Sequence, residues 1–169
     1  MFYKYHVQFF TATNLNWLPC LQNDLHKEII IESIKHRVDK NELTVYGFVI
    51  MPNHMHFIWR IHDSVSPEIF QRDFLKFTAR SILKFMLMND DRLMPQLEVN
   101  AKDRKYQIWE RNSLSIDLLS EEIFRQKLNY IHNNPLQSKW NLAEKPEDYY
   151  YSSAAFYEKQ ANDFDFLTV

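Results

Sequence analysis

Residues 42–61 read ELTVYGFVIMPNHMHFIWRI, two apolar runs joined at Met51-Pro52-Asn53. β-Branched and aromatic residues crowd both runs, and the proline-asparagine junction is turn chemistry, so the stretch reads as two antiparallel strands. Side chains two apart on a strand share a face. His54 and His56 therefore project side by side, while Met55 and Phe57 point the other way into a core. Two imidazoles on one pleat are half of a metal site. The same pattern also fits two core-edge histidines bonded to the backbone, so the rest of the chain must decide.

Working outward, Tyr3–Thr13 (YKYHVQFFTAT) has the aromatic and β-branched content of a first strand, with Tyr5, Val7 and Phe9 on one face. After a loop through Asn14, Asn16 and Pro19, a helix capped by Asp24 is expected over residues 25–40, with Leu25, Ile29, Ile30, Ile34 and Val38 at helical spacing. Beyond the hairpin, Ser66-Pro67-Glu68 opens a second helix that continues to Met88, with Ser66 as cap. Residues 88–105 read as a loop and residues 106–110 as a short fourth strand. Ser120 caps a third helix that Pro135 closes, and a short helix near residues 152–159 precedes an acidic, frayed tail. Strand, helix, strand, strand, helix, strand is the split βαβ order. The expected fold is α+β: a ferredoxin-like antiparallel sheet with helices on one face and an added C-terminal helix. Residues 1–160 would form a single domain, with 161–169 as the acidic tail.

Composition removes several classes of function. The chain of 169 residues is 46% hydrophobic and 15% aromatic, which excludes disorder. No run approaches the ~20 apolar residues of a membrane span, and the N-terminus lacks a signal-peptide plan. One cysteine, Cys20, rules out an internal disulfide and a multi-thiolate zinc site, and fits a reducing cytoplasm. Gly47 is the only glycine, so no glycine-rich phosphate loop exists. Net charge is −2, with the acids concentrated after residue 143. A nucleic-acid surface would have to be a local patch. Arg72, Lys76 and Arg80 supply one candidate, recurring every fourth residue along the second helix, and Arg104 and Lys105 another. The same basic stripe also fits an ordinary solvated helix face.

The third helix carries LNYIHNNP at residues 128–135, in which Tyr130 and Asn134 lie one turn apart. A tyrosine hydroxyl can be a nucleophile and an amide oxygen a metal ligand. Plain structure also fits: a packed tyrosine and an asparagine that ends the helix before Pro135.

Taken together, MPNHMHFIW and the downstream YIHNNP resemble the single-tyrosine HUH transposases, in particular the REP-associated tyrosine transposases. LKFTAR on the second helix, the IWER segment and KPEDYYYSS near the C-terminus are similar to the same family's pattern. The resemblance implies His54 and His56 as metal ligands, Asn134 as the third, helix-borne ligand, and Tyr130 as the nucleophile. It implies magnesium or manganese, whereas imidazole ligation by itself favours transition ions. The implied partner is single-stranded or hairpin DNA, and the implied reaction is metal-dependent strand cleavage through a 5′-phosphotyrosine link, followed by rejoining. Monomer and homodimer both occur in such a family.

The residue types suit that chemistry. A phenol is mostly protonated at neutral pH and is a poor nucleophile unaided, whereas a divalent ion on neutral ligands keeps its charge for the phosphate. Arg72, Lys76, Arg80, Arg104 and Lys105 would hold backbone phosphates. Tyr46, Trp59, Trp109 and the tail tyrosines are candidates to stack bases. His132 is a candidate general base that also fits helix packing. One departure stands out: 112–117, NSLSID, replaces a Tyr- and His-containing stretch of many relatives. A hairpin-binding protein of the same fold without turnover is the alternative reading, and a replication-type nickase fits less well with one tyrosine in a small chain.

Overall fold

The computed structural model describes residues 4–169. In chain order the elements are β1 (Gln8–Thr13), α1 (Asp24–Asp39), β2 (Leu43–Ile50), β3 (His54–Ile61), α2 (Pro67–Met88), β4 (Leu114–Asp117), α3 (Glu121–Asn133) and α4 (Ala154–Lys159). The four strands form one antiparallel sheet in the order β2-β3-β1-β4. The β1–α1–β2 connection steps over β3, which is the split βαβ arrangement expected from the element order.

Alternation along the strands makes two cores. Phe10, Phe48, Phe57 and Trp59 face α1 and α2, where Ile30, Ile34, Phe70, Phe74 and Ile82 meet them. Phe10, Phe57 and Trp59 form a run of stacked rings, with centroids 4.6 and 5.2 Å apart. The other face presents Phe9, Val49, Met51 and Ile58 to Ile131, Leu128 and Phe124 of α3. The expectation of helices on one face thus holds for α1 and α2, and the added α3 covers the opposite face.

Gly47 sits where β2 runs under α3, beside a register shift between Val45 and Gly47. A Cβ there would lie 2.7 Å from Leu128 Cδ1, 3.3 Å from Ile131 Cδ1 and 3.3 Å from Ser153 Oγ. The chain's one glycine therefore lets a helix approach a strand, and makes no phosphate turn.

Four expectations change. The cap of α1 is Asn23, whose side chain accepts from Leu25 N–H, one residue before the Asp24 expected. The first strand begins at Gln8, five residues later than expected, and Tyr3 lies outside the described residues. Residues 106–110 are not a strand. Ile108 and Trp109 are buried, the Trp109 indole donates to Thr78 Oγ1 at 3.1 Å, and only isolated bridges form at Tyr106 and Trp109. Their apolar character serves inward packing. The true β4 is exposed throughout and pairs with β1, and its Leu114–Ile116 alternation spans only four residues, too short to mark a strand beside the longer apolar stretch before it.

The tail is not frayed. Phe164 and Phe166 pack edge-on and tilted against Phe48, and Thr168 N–H donates to Val45 O. Together with residues 151–153, which bond to Phe48 and Ile50, this tail covers the outer edge of β2.

Candidate active site

β3 brings the two histidines to the α3 face, with His54 opposite Thr13 and His56 opposite Thr11 of β1. Their rings lie 5.0 Å apart and both are buried. Asn53 donates its amide to Trp17 O at 3.1 Å, which turns its Oδ1 toward His54 Nδ1 at 2.8 Å. An acceptor there places the proton on Nδ1 and leaves Nε2 of His54 as a lone pair. His56 Nδ1 lies 2.7 Å from Thr11 Oγ1, and its buried Nε2 has no hydrogen-bond partner among the described residues. When Thr11 accepts, that Nε2 is also a lone pair. Burial first, and then the Lys139 charge, lowers the His54 pKa to about 4. Burial lowers His56 to about 3, helped by His54 and Lys127. Both rings are therefore neutral near pH 7 and able to donate to a cation.

Asn134 follows α3 at its C-terminal end, fully buried, with its amide nitrogen 3.2 Å from His54 Nε2. Rotated by half a turn, that amide would present its oxygen at the same place. Among the described residues no cluster of three or more His, Cys, Asp or Glu could hold a metal, and this amide is the side chain within hydrogen-bond distance of His54 Nε2. Two neutral Nε2 atoms, one of them a buried orphan, beside a rotatable amide fit a divalent ion. Thr11 and Asn53 hold the two rings in orientation, the role that outer hydrogen-bond partners play where histidines bind metals.

Tyr130 stands one turn back on α3, 45% exposed, its ring 5.5 Å from that of His56 and 6.2 Å from that of Phe9. Lys127 lies 6.0 Å from the Tyr130 ring centroid and 4.9 Å from that of Phe9. Phe9 itself stacks on His56 at 5.1 Å. His132 points elsewhere: it is buried, bonded to Ser153 Oγ at 2.8 Å and set against Tyr157, and burial lowers its pKa to about 4. It is a packing residue, so the candidate base of the sequence reading lies away from the phenol.

The structure thus brings Tyr130, His54, His56 and Asn134 together. It does not bring the basic residues to them. Arg72, Lys76 and Arg80 are exposed on α2, across the sheet from the histidines, and Arg72 is paired with Asp73 at 2.9 Å. Arg104 and Lys105 lie in the 98–106 loop, 3.8 Å from Asp103 and Glu98. The cations beside the site are Lys127 and Lys139. Of the proposed stacking residues, Trp59 and Trp109 are core, and the Tyr149 and Tyr151 hydroxyls bond to Ile50 O and Glu28. Tyr46 is half-buried against Phe124. Besides Phe9 and Tyr130, Trp17 and Trp140 border the site, 6.1 and 5.8 Å from the His54 ring. Sequence reasoning passed over both, and over Thr11 and Asn53. The one signal for Thr11 was its place on the strand face opposite the histidines.

A sheet in this order, with paired histidines on its centre and a tyrosine-bearing helix laid over them, is a fold shared with transposases of known structure. Two of the solved structures that the chain resembles are of named proteins. One is of a REP-associated tyrosine transposase bound to a REP hairpin, with TM-score 0.62 and 18% identity over 97% of this chain and 85% of that one. The other is of a protein provisionally called a transposase from Deinococcus radiodurans R1, with TM-score 0.51 and 14% identity over 78% of this chain and 92% of that one. No family model and no curated protein matches the chain.

Proposed function

We propose that this chain is a DNA-processing enzyme of transposase type that cuts and rejoins one strand through Tyr130. The observation that carries the reading is the buried, unpartnered Nε2 of His56, set beside the His54 lone pair and the Asn134 amide under a half-exposed phenol. An orphaned buried nitrogen is costly unless something fills it.

His54, His56 and Asn134 would hold the ion, with Thr11 and Asn53 fixing the imidazoles. When bound, such an ion polarises a phosphoryl oxygen and offsets transition-state charge. The Tyr130 oxygen forms a bond to phosphorus as the bond from phosphorus to O3′ breaks. The electron pair stays on O3′, which takes up a proton, while the phenol proton passes to solvent. Attack by a free 3′-hydroxyl on the phosphotyrosine reverses the step, so no high-energy cofactor is consumed. Lys127, beside the phenol, is placed to attract the phosphate. Arg72, Lys76 and Arg80 would hold duplex phosphates away from the cleavage point, consistent with a hairpin substrate that contacts both faces.

The test incubates hairpin oligonucleotides bearing single-stranded flanks with wild type and Tyr130→Phe, in magnesium or manganese, and separates the products on denaturing gels. Wild type is expected to form a covalent protein–DNA adduct, while the variant binds without linking. Equal binding with no adduct from wild type under any divalent ion would leave a hairpin-binding module without turnover.

A further inference from the structure

We infer that Trp17 is a nucleobase platform, stacking the base of the nucleotide whose 3′-oxygen leaves when Tyr130 attacks. The inference rests on the proposed cleavage reaction for which nucleotide is held, and on geometry of its own for the platform.

Trp17 is 62% exposed, an unusual setting for an indole, and it lies at the end of a short 3-10 turn, Leu15–Trp17. Asn16 and Trp17 have φ of 52° and 57°, a left-handed conformation in which two consecutive non-glycine residues are seldom found. The loop is pinned there. Asn16 N–H donates to Glu110 Oε1 at 2.8 Å, Trp17 N–H to Asn14 O at 3.0 Å, and Trp17 O accepts from Asn53 Nδ2 at 3.1 Å. The same Asn53 side chain accepts from His54. One amide therefore fixes the backbone that carries the indole and a candidate ligand relative to each other. A residue held against its backbone preference, ring outward, beside a reactive centre is placed there for a partner.

The partner follows from the two sides of the imidazole pair. Tyr130 stands against His56 and Phe9, whereas Trp17 stands edge-on to His54. Attacking and leaving oxygens lie roughly in line in phosphoryl transfer. A phosphorus over the histidines, attacked from the His56 side, expels O3′ toward His54. The base attached to that sugar then reaches Trp17. Trp140 also borders His54, but it is partly buried, with the Lys139 ammonium 5.6 Å from its ring centre. Base–aromatic stacking tolerates any sequence, so the platform would hold an unpaired base without reading it.

The experiment compares wild type, Trp17→Ala and Trp17→Phe by fluorescence anisotropy, using a hairpin with single-stranded thymidine tails and the same hairpin blunt. Trp17→Ala should lose roughly 10-fold in affinity for the tailed hairpin and change little on the blunt one, while Trp17→Phe stays within about 3-fold. A 5-iodouracil placed singly along the tail should cross-link to the peptide containing Trp17 at one position. Thermal melts confirm that the exposed substitution leaves the fold intact. Unchanged affinity of Trp17→Ala for the tailed hairpin, or no wild-type preference for tails, overturns the inference. If affinity depends on Trp17 while no Tyr130 adduct forms, the platform stands and the cleavage reading falls. If the adduct forms and Trp17→Ala binds normally, the reverse holds.

Discussion

Replacing Gly47 by alanine probes how closely α3 is seated on the sheet. The added methyl meets Leu128 Cδ1 at 2.7 Å, a clash the end of a leucine can relieve by turning. Ile131 Cδ1 and Ser153 Oγ, each at 3.3 Å, have less room. Ile131 is wholly buried, and Ser153 Oγ is fixed by bonds to Phe48 N–H and His132 Nε2. Overpacking of this kind costs about 1–3 kcal/mol, and the lower unfolded-chain entropy of alanine returns about 0.4–1 kcal/mol. The net loss should be about 1 kcal/mol, which lowers Tm by roughly 2–4 °C in a chain of this size. Because α3 also carries Tyr130, and Asn134 at its end, the same variant should weaken divalent-ion binding. Chemical denaturation of wild type, Gly47→Ala, Leu128→Ala and the double variant isolates the contact. With Leu128 truncated, the Gly47→Ala cost should shrink or change sign. An identical cost in both backgrounds, or none in either, would show that α3 does not sit at the described distance.

Thr11→Val keeps the size of the side chain but removes the acceptor for His56 Nδ1. Manganese affinity, read by calorimetry, should fall about 10–100-fold with little loss of stability, and unchanged affinity would deny Thr11 its orienting role. Phe166→Ala should cost about 3–5 kcal/mol in urea unfolding if the tail is part of the core, and almost nothing if it is not. In metal-free protein, His54, His56 and His132 all have pKa values lowered by burial, to about 4, 3 and 4. The unfolded chain then binds more protons below the ordinary histidine value of ~6.5, so stability should decline as pH falls from there toward 4. A flat stability profile across that window would mean that the rings are not buried as described.

The hairpin and the helices were legible because each repeats one chemical signal over many residues. His54 and His56 share a face by strand geometry alone, and Ser66-Pro67 marks the start of α2 without tertiary help. The fourth strand was not legible. It is a four-residue edge strand of exposed residues, tied to the sheet by backbone pairing and by bonds donated from Gln8 to Asp117 and from Gln71 to Ser115, while the apolar stretch before it is loop turned inward. The aromatics misled for a similar reason. Trp59 and Trp17 are the same residue type, and only the packing of the sheet separates a core ring from one left in solvent. Thr11 and Asn53 each orient an imidazole through one hydrogen bond, a relation between strands or between a turn and a ring that linear spacing does not encode.

The way the chain folds its last residues over β2 also decides how it can meet its own kind. Backbone groups from Val45 to Ile50 that a second copy would need for strand addition are already taken by residues 151–153 and Thr168. Self-association by sheet extension is confined to the far side, where β4 offers four residues. Covered edges of this kind limit strand-to-strand polymerisation, and clipping the terminal segment would bare the Val45 end of β2 to a neighbour.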